Sequence, residues 1–341
     1  MEQLLNKTYV RTCNNFKINE LKVDLDFKED KFSELEIESP ELDKLNINKS
    51  IKSNFLNKVG LFSKKYYSLE VLVKNTLSNS VFISYDFSDS NYYLADEIVL
   101  NLKENTSSDF IIIFKGENKC ISNCKLVINA DNNSDSNISI VNLVNDSSSS
   151  FLSVESNLKE NALVTHNYID LGGNLKVSNF YIELNGKNSI SNLNSIYMGC
   201  NSDRIDMNYY IKCNNLNTKG TISSYGTLND LSYKSFKGTI DFIKGCCKSV
   251  GMEQENCMLL SNKCKSKSLP ILLCGEENVV GTHGVSSGKI DENKKFYLMS
   301  KGLSEVEAKK MIIMSLFNQV INNIKDEKIK EIIIDDINKR L

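Results

Sequence analysis

Ile205-Asp206-Met207-Asn208-Tyr209-Tyr210-Ile211-Lys212-Cys213 is the stretch that decides how the middle of this chain is read. Ile205, Met207, Tyr209, Ile211 and Cys213 recur at every second position, with Asp206, Asn208 and Lys212 between them. Successive side chains of a β-strand point to opposite faces, so this spacing sets an apolar face against a polar one. Working outward, similar short β-prone segments fill residues 66–290. They include Ser68–Lys74, Ser80–Tyr85, Glu97–Leu102, Phe110–Phe114, Lys125–Ala130, Ile138–Val144, Phe151–Val154 and Leu163–Ile169. Leu175–Val177, Phe180–Leu184, Thr221–Tyr225 and Thr239–Ile243 continue the series. Asn, Asp, Ser and Gly separate many of them, as turns require. No long amphipathic helix interrupts the series. A sandwich, a barrel and a parallel β-helix all remain open on this pattern. The length of the zone favours the β-helix, whose stacked rungs bury their inward residues against one another.

The flanks differ. Residues 1–65 are charged and mixed, with Glu34, Glu36, Glu38, Glu41 and Asp43 followed by a Lys-rich run to Lys65. Short helices and loops are expected there, and the charge run reads as a solvated face. Residues 291–341 are helical by pattern. Asp291 can cap a first helix carrying Phe296, Tyr297 and Leu298, and Gly302 stands where a left-handed residue would end it. Ser304 and Glu307 form a capping box. Behind it, Ile313, Leu316, Phe317, Val320, Ile321 and Ile324 make one apolar stripe. Ile329, Ile332, Ile333 and Ile337 repeat it in a last helix. Such a tail is either a cap on the β body or a docking surface.

Composition narrows the function. The chain has 341 residues and a net charge of −2, so no basic excess points to nucleic acid or to an anionic membrane. The longest apolar runs are about five residues, where a membrane span needs about twenty. Met1–Lys7 lacks the apolar run of a signal peptide, which places the chain in the cytoplasm. Its ten cysteines are then expected as thiols. They form no CxxC pair, only Cys120-x3-Cys124 and Cys246-Cys247. The two histidines, His166 and His283, limit any imidazole chemistry to two positions. No nucleophile elbow, P-loop or HExxH is present, so the residues themselves propose no enzyme. The abundance of Asn, Lys, Ile and Ser reads as base composition rather than function. A carbohydrate-active β-helix enzyme or adhesin is the competing class. It is usually exported, and the helical tail speaks against it.

Three stretches carry a family resemblance. Met258-Leu259-Leu260-Ser261 is followed by Ser266-Lys267-Ser268-Leu269-Pro270-Ile271-Leu272-Leu273. Val279-Val280-Gly281-Thr282-His283-Gly284-Val285-Ser286-Ser287-Gly288-Lys289-Ile290-Asp291 comes next. Lys295-Phe296-Tyr297-Leu298-Met299-Ser300-Lys301-Gly302-Leu303-Ser304 closes the set, with Glu307-Ala308 behind it. Together they resemble the SufB/SufD family of iron–sulfur cluster assembly subunits, and a looser likeness reaches back to about Leu163. The resemblance departs from the pattern at Gly281, where the family has Cys, and at Lys301, where it has Arg. Gly284 stands beside His283 where SufB has an acid, which favours the SufD branch. Cys264 falls where SufB carries a cluster-associated Cys.

The resemblance implies a right-handed parallel β-helix at 66–290, flanked by helical N- and C-terminal regions. It implies a non-catalytic scaffold in a SufBCD-type complex, paired with a SufB-like paralogue (a homodimer being the other possibility) and with a SufC-like ABC ATPase. It makes His283 the first candidate ligand for a transient, shared iron–sulfur cluster, with Cys264 the weaker one. Glycines beside His283 leave room for a metal, although a hydrogen-bonded structural histidine is the plainer reading. Lys263 and Lys265 would favour the Cys264 thiolate if they are as close in space as in sequence. The remaining cysteines and His166 read as core or turn residues. In the tail, Leu316, Phe317, Val320 and Ile321 are the candidate ATPase contacts.

Overall fold

The computed structural model describes residues 3–10, 17–23, 35–88 and 92–341. Strands β1 (Gln3–Leu4) and β2 (Lys22–Val23) make a small antiparallel pair. Next come β3 (Leu35–Glu38), a single 3-10 turn at Leu42–Lys44, β4 (Leu45–Leu56) and β5 (Phe62–Val73). The series continues with β6 (Val81–Asp86), β7 (Tyr93–Leu102), β8 (Ser107–Gly116), β9 (Ile121–Ala130) and β10 (Asp135–Val144). Then follow β11 (Ser149–Leu158), β12 (Leu163–Asp170), β13 (Leu175–Leu184), β14 (Ile190–Gly199) and β15 (Arg204–Cys213). The last strands are β16 (Lys219–Leu228), β17 (Tyr233–Phe242), β18 (Val250–Leu259), β19 (Lys265–Cys274) and β20 (Val280–Lys289).

Even-numbered strands from β6 to β20 form one parallel sheet, and odd-numbered strands from β5 to β19 form the other. Each strand from β7 to β18 therefore pairs with the strands two before and two after it. This is a parallel β-solenoid of about eight turns. At its first end β3 and β4 close the two sheets by antiparallel pairing with β6 and β5. At its other end β19 and β20 have no outer neighbour among the described residues.

The period-two pattern explains the interior. Ile205, Met207, Tyr209, Ile211 and Cys213 of β15 are all buried in the core between the sheets, as the spacing predicts. At one corner the turns repeat in register. Asn105, Asn133, Asn161, Asn188 and Asn217 all take positive φ, between 55° and 60°. Asn tolerates that left-handed region better than other side chains with a Cβ. Their amides stack as a ladder: Asn133 donates to Asn105 at 3.0 Å, Asn161 to Asn133 at 2.9 Å, Asn188 to Asn161 at 2.9 Å and Asn217 to Asn188 at 2.7 Å. These five Asn residues thus have a structural use, whatever the origin of the Asn-rich composition.

The N-terminal region also departs from expectation. Among its described residues helix is limited to Leu42–Lys44, and β4 alone runs for 12 residues along β5. The alternation that makes β4 a strand is obscured in sequence by its many exposed Lys and Asn side chains. Leu5 and Leu21 cover Phe151 and Val177 on the outer face of the odd-numbered sheet. Asn6 pins them, its amide donating to Asp206 at 2.7 Å while its carbonyl accepts from Lys237 at 2.7 Å.

The tail contains α1 (Glu292–Ser300), α2 (Glu305–Ile321) and α3 (Glu327–Arg340). Asp291 caps α1, and the Ser304–Glu307 capping box opens α2, both as the sequence indicates. Helices α2 and α3 lie on the outer face of the even-numbered sheet. Ile313, Phe317, Val320, Ile321, Ile324, Ile329, Ile333 and Ile337 pack there against Ile111, Val141, Ile169, Ile196 and Met198. This corrects the assignment of Leu316, Phe317, Val320 and Ile321 to a partner contact. Phe317, Val320 and Ile321 are buried by the chain's own sheet, and Leu316 is half-buried against the same cluster. The sheet's outer positions are apolar and need a cover, and this stripe supplies it.

Candidate functional site

The open end of the solenoid gathers the residues singled out by sequence. β18 alternates buried and more exposed positions, with Gly251, Glu253, Glu255 and Cys257 facing the interior. β20 lies on β18 in register: Gly251 pairs with Gly281, Glu253 with His283, Glu255 with Val285 and Cys257 with Ser287. His283 thus belongs to the interior-facing column of the last rung, yet it is exposed, because no further rung among the described residues covers it. Across the rung β19 supplies the opposing set. Ser266 Oγ lies 3.1 Å from Ser287 Oγ, and a Cβ added to Gly281 would lie 2.8 Å from Leu272. These two contacts set His283 opposite Pro270.

The same geometry separates the two candidate ligands. Cys264 precedes β19 at the Ser266–Ser287 end of the rung, and its thiol donates to the Ser261 carbonyl at 3.1 Å. Ser287 is four residues from His283, so at about 3.3 Å per residue the two sites lie more than about 13 Å apart. They cannot hold the same ion within one chain. Among the described residues no group of three or more His, Cys, Asp or Glu is placed to hold a metal. His166 lies far inside, fully buried on β12, and burial alone drives its imidazole pKa down to about 3. It is a core residue, as expected. Cys120, Cys124, Cys213, Cys246 and Cys257 are likewise buried.

Beneath the last rung is a polar interior that the sequence did not reveal. Lys234 on β17 and Glu255 on β18 are fully buried and form an ion pair of 2.6 Å. The Tyr197 hydroxyl donates to Glu255 at 2.6 Å, Ser268 donates to its other oxygen at 2.9 Å, and Lys234 also donates to Ser268 at 2.7 Å. Ser268 belongs to the terminal strand, so the network reaches the open end. Glu253, two residues away, has no comparable set of partners among the described residues, only the Ile271 backbone lying against its carboxyl. Burial first, and then the Glu255 charge, raises its pKa to about 8. The only signal available in sequence was the pair of acids at positions 253 and 255, which alternation alone makes look solvent-facing.

The family description "SUF system FeS cluster assembly, SufBD core domain" matches residues 86–316, well over half of the chain. The chain belongs to the SufBD family. Within the family it is most like SufD. It is 27% identical over 124 residues to the iron–sulfur cluster assembly protein SufD of Bacillus subtilis, covering 36% of this chain and 28% of that protein. It is 28% identical over 129 residues to SufD of Escherichia coli, covering 38% and 29%. A SufBD family protein of Staphylococcus saprophyticus is 31% identical over 101 residues, covering 29% and 21%. The matched stretches span less than a third of these relatives' own lengths.

Proposed function

We propose that this SufBD family member is a non-catalytic scaffold subunit of a cytoplasmic iron–sulfur cluster assembly complex. The observation that carries this reading is the uncapped last rung. Among the described residues β19 and β20 present unpaired strand edges, with His283 on the interior-facing column of β20. An open parallel edge is a template for pairing with another chain. A SufB-like paralogue with a similar solenoid would extend both sheets and cover His283. His283 would then be this chain's ligand to a cluster shared across the interface, the partner supplying the others. Borderline imidazole nitrogen suits iron. Membership in an assembly family is the reason to prefer this over a carbohydrate-active enzyme or adhesin.

The helical tail suggests where a SufC-like ATPase would dock. Helix α1 buries none of its side chains, and Phe296 and Tyr297 are 73% and 59% exposed. Between α1 and α2 lies an apolar groove of about 480 Å³, lined by Tyr297, Leu298, Met311 and Ile312. This groove, rather than the buried stripe of α2, is the surface left for the ATPase. The test is co-expression with a SufB-like subunit and a SufC-like ATPase, followed by affinity capture. Iron and sulfide are then measured on the anaerobically reconstituted complex. The expected result is a complex of all three chains whose cluster content falls on His283→Ala without dissociation. Failure to capture either partner would reject the reading.

A further inference from the structure

The outer face of the odd-numbered sheet carries a recess that cluster assembly does not account for. Asp206, Ser235 and Lys267 are register partners on β15, β17 and β19, and on the first two strands they alternate with the core residues Met207 and Phe236. Residues 17–21 lie over this face and close with it a cavity of about 350 Å³. Three cations line it, Lys17, Arg204 and Lys267. Among the described residues none of them has a carboxylate within ion-pair distance. Arg204 and Lys267 donate only to backbone carbonyls, of Glu20 at 3.5 Å and of Lys17 at 3.4 Å. Elsewhere the fold treats such groups differently. The buried lysines Lys176, Lys234 and Lys237 sit on the carboxylates of Asp203, Glu255 and Asp206. Asp203 and Asp206 also line the recess, but those lysines already hold them. Arg204 and Lys267 are half-buried, and a cation partly removed from water needs a counter-charge. The Tyr233 ring gathers the two, with the guanidinium 5.9 Å and the ammonium 5.8 Å from its centre. Two residues along β17, the Ser235 hydroxyl is buried and has no hydrogen-bond partner. A buried polar group left unpaired calls for an explanation.

We propose that this recess binds a phosphate group. The guanidinium of Arg204 offers paired N–H donors to two phosphate oxygens, and Lys267 and Lys17 supply point charges. The volume lies at the small end of ligand pockets, which suits inorganic phosphate or a small phosphomonoester. Lys17 belongs to the N-terminal segment, whereas Arg204 and Lys267 belong to β15 and β19. The bound group therefore ties that segment to the last strand of the odd-numbered sheet.

The test titrates the full chain by calorimetry with sodium phosphate, with glycerol 3-phosphate and with sodium chloride at matched ionic strength. The melting temperature is followed in each. Wild type is expected to bind one phosphate group per chain saturably and to melt at a higher temperature when loaded. Arg204→Gln and Lys267→Gln should each weaken binding at least about tenfold and remove the rise in melting temperature. Each variant removes a cation that has no acid partner, so the fold should hold, checked by circular dichroism without ligand. Lys17→Gln, at an exposed position, should weaken binding in the same direction and serves if the Arg204 variant unfolds. Tighter binding of glycerol 3-phosphate than of phosphate identifies an ester as the ligand, and equal binding identifies the free ion. An equal response to chloride overturns the proposal, as does unchanged phosphate binding by a folded Lys267→Gln protein. Binding of a glutamate-rich peptide with no binding of phosphate would also overturn it and assign the recess to an acidic segment of a partner.

Discussion

Tyr197 reaches Glu255 across Gly226. Its hydroxyl lies 2.6 Å from the carboxylate, and a Cβ on Gly226 would sit 2.1 Å from the Tyr197 ring. Tyr197, Gly226 and Cys257 are register partners on successive strands, so the glycine lets a phenol on β14 span a whole rung. Lys234 meets the same carboxylate from the opposite sheet. A pair buried this deeply has given up its hydration and is held by its hydrogen bonds.

Lys234→Met should therefore leave Glu255 charged and buried. The expected loss is about 3–5 kcal/mol in urea denaturation, typical of removing one partner of a buried pair. Adding Glu255→Gln should recover part of it, because the stranded charge goes with the acid. Equal losses for the single and double variants would show that the pair is not coupled.

Asp96 gives a pH dependence with a definite sign. It is buried in the core beside Tyr85, and burial raises its pKa from 3.8 to about 8. The folded state then holds a proton that the unfolded state releases, so this group costs stability as pH rises from about 4 to about 8. Glu253 behaves alike over nearly the same window. His166 acts oppositely but only below about 6.5, where the unfolded imidazole takes up a proton that the folded one refuses. Between pH 6.5 and 8 stability should fall by about 1 kcal/mol per pH unit for each acid. Asp96→Asn should make that slope shallower, as measured by denaturation midpoints across the range.

How much of this was legible in the sequence differs from element to element. The buried face of β15 and the capping box of α2 follow from local spacing, and both stand in the structure. The solenoid itself could not be told from a sandwich, because period two fixes which face is buried and not which strand lies beside which. The tail stripe was visible, but its cover was not. The run Phe110–Phe114 is apolar on both faces, and its outward Ile111 is what the tail covers. The polar interior was hidden for the same reason. Glu253 and Glu255 find Gly238 and Lys234 only after the chain has turned a corner.

The asparagine ladder predicts a graded response. Asn161 has φ of +55°, donates to Asn133 and accepts from Asn188. Asn161→Ala removes both bonds and places a Cβ residue without a compensating side chain in the left-handed region. The cost should be about 1–2 kcal/mol by urea denaturation. Asn161→Gly, which keeps the backbone free, should cost less. A glycine variant less stable than the alanine one would show that backbone conformation is not the limiting factor.

In the tail, burial separates structure from binding. Phe317→Asp places a charge in the interface between α2 and the sheet, so it should release the helices and raise proteolysis of residues 291–341. Met311→Glu lies on the exposed groove, with Met311 50% exposed, and should leave the melting temperature within about a degree of wild type. It should nevertheless weaken capture of the ATPase by at least about tenfold. Normal capture by a folded Met311→Glu protein would move the docking site off the α1–α2 groove.

His283 and Cys264 can be distinguished by the length of the last rung that lies between them. His283 is exposed on β20, the outermost strand of its sheet among the described residues, whereas the Cys264 thiol is half-buried, packs against the core and bonds to the Ser261 carbonyl. Serine has a hydroxyl that can make the same bond. More than about 13 Å of strand lies between the two sites, too far for a common iron atom. On the reconstituted complex, His283→Ala should therefore lower iron and sulfide content and bleach the visible absorption. Cys264→Ser should leave all three at the wild-type level, and the double variant should match His283→Ala alone. A loss on Cys264→Ser as large as that on His283→Ala would mean that the thiol reaches a cluster through the partner's surface, since the fold of this chain does not bring the two together.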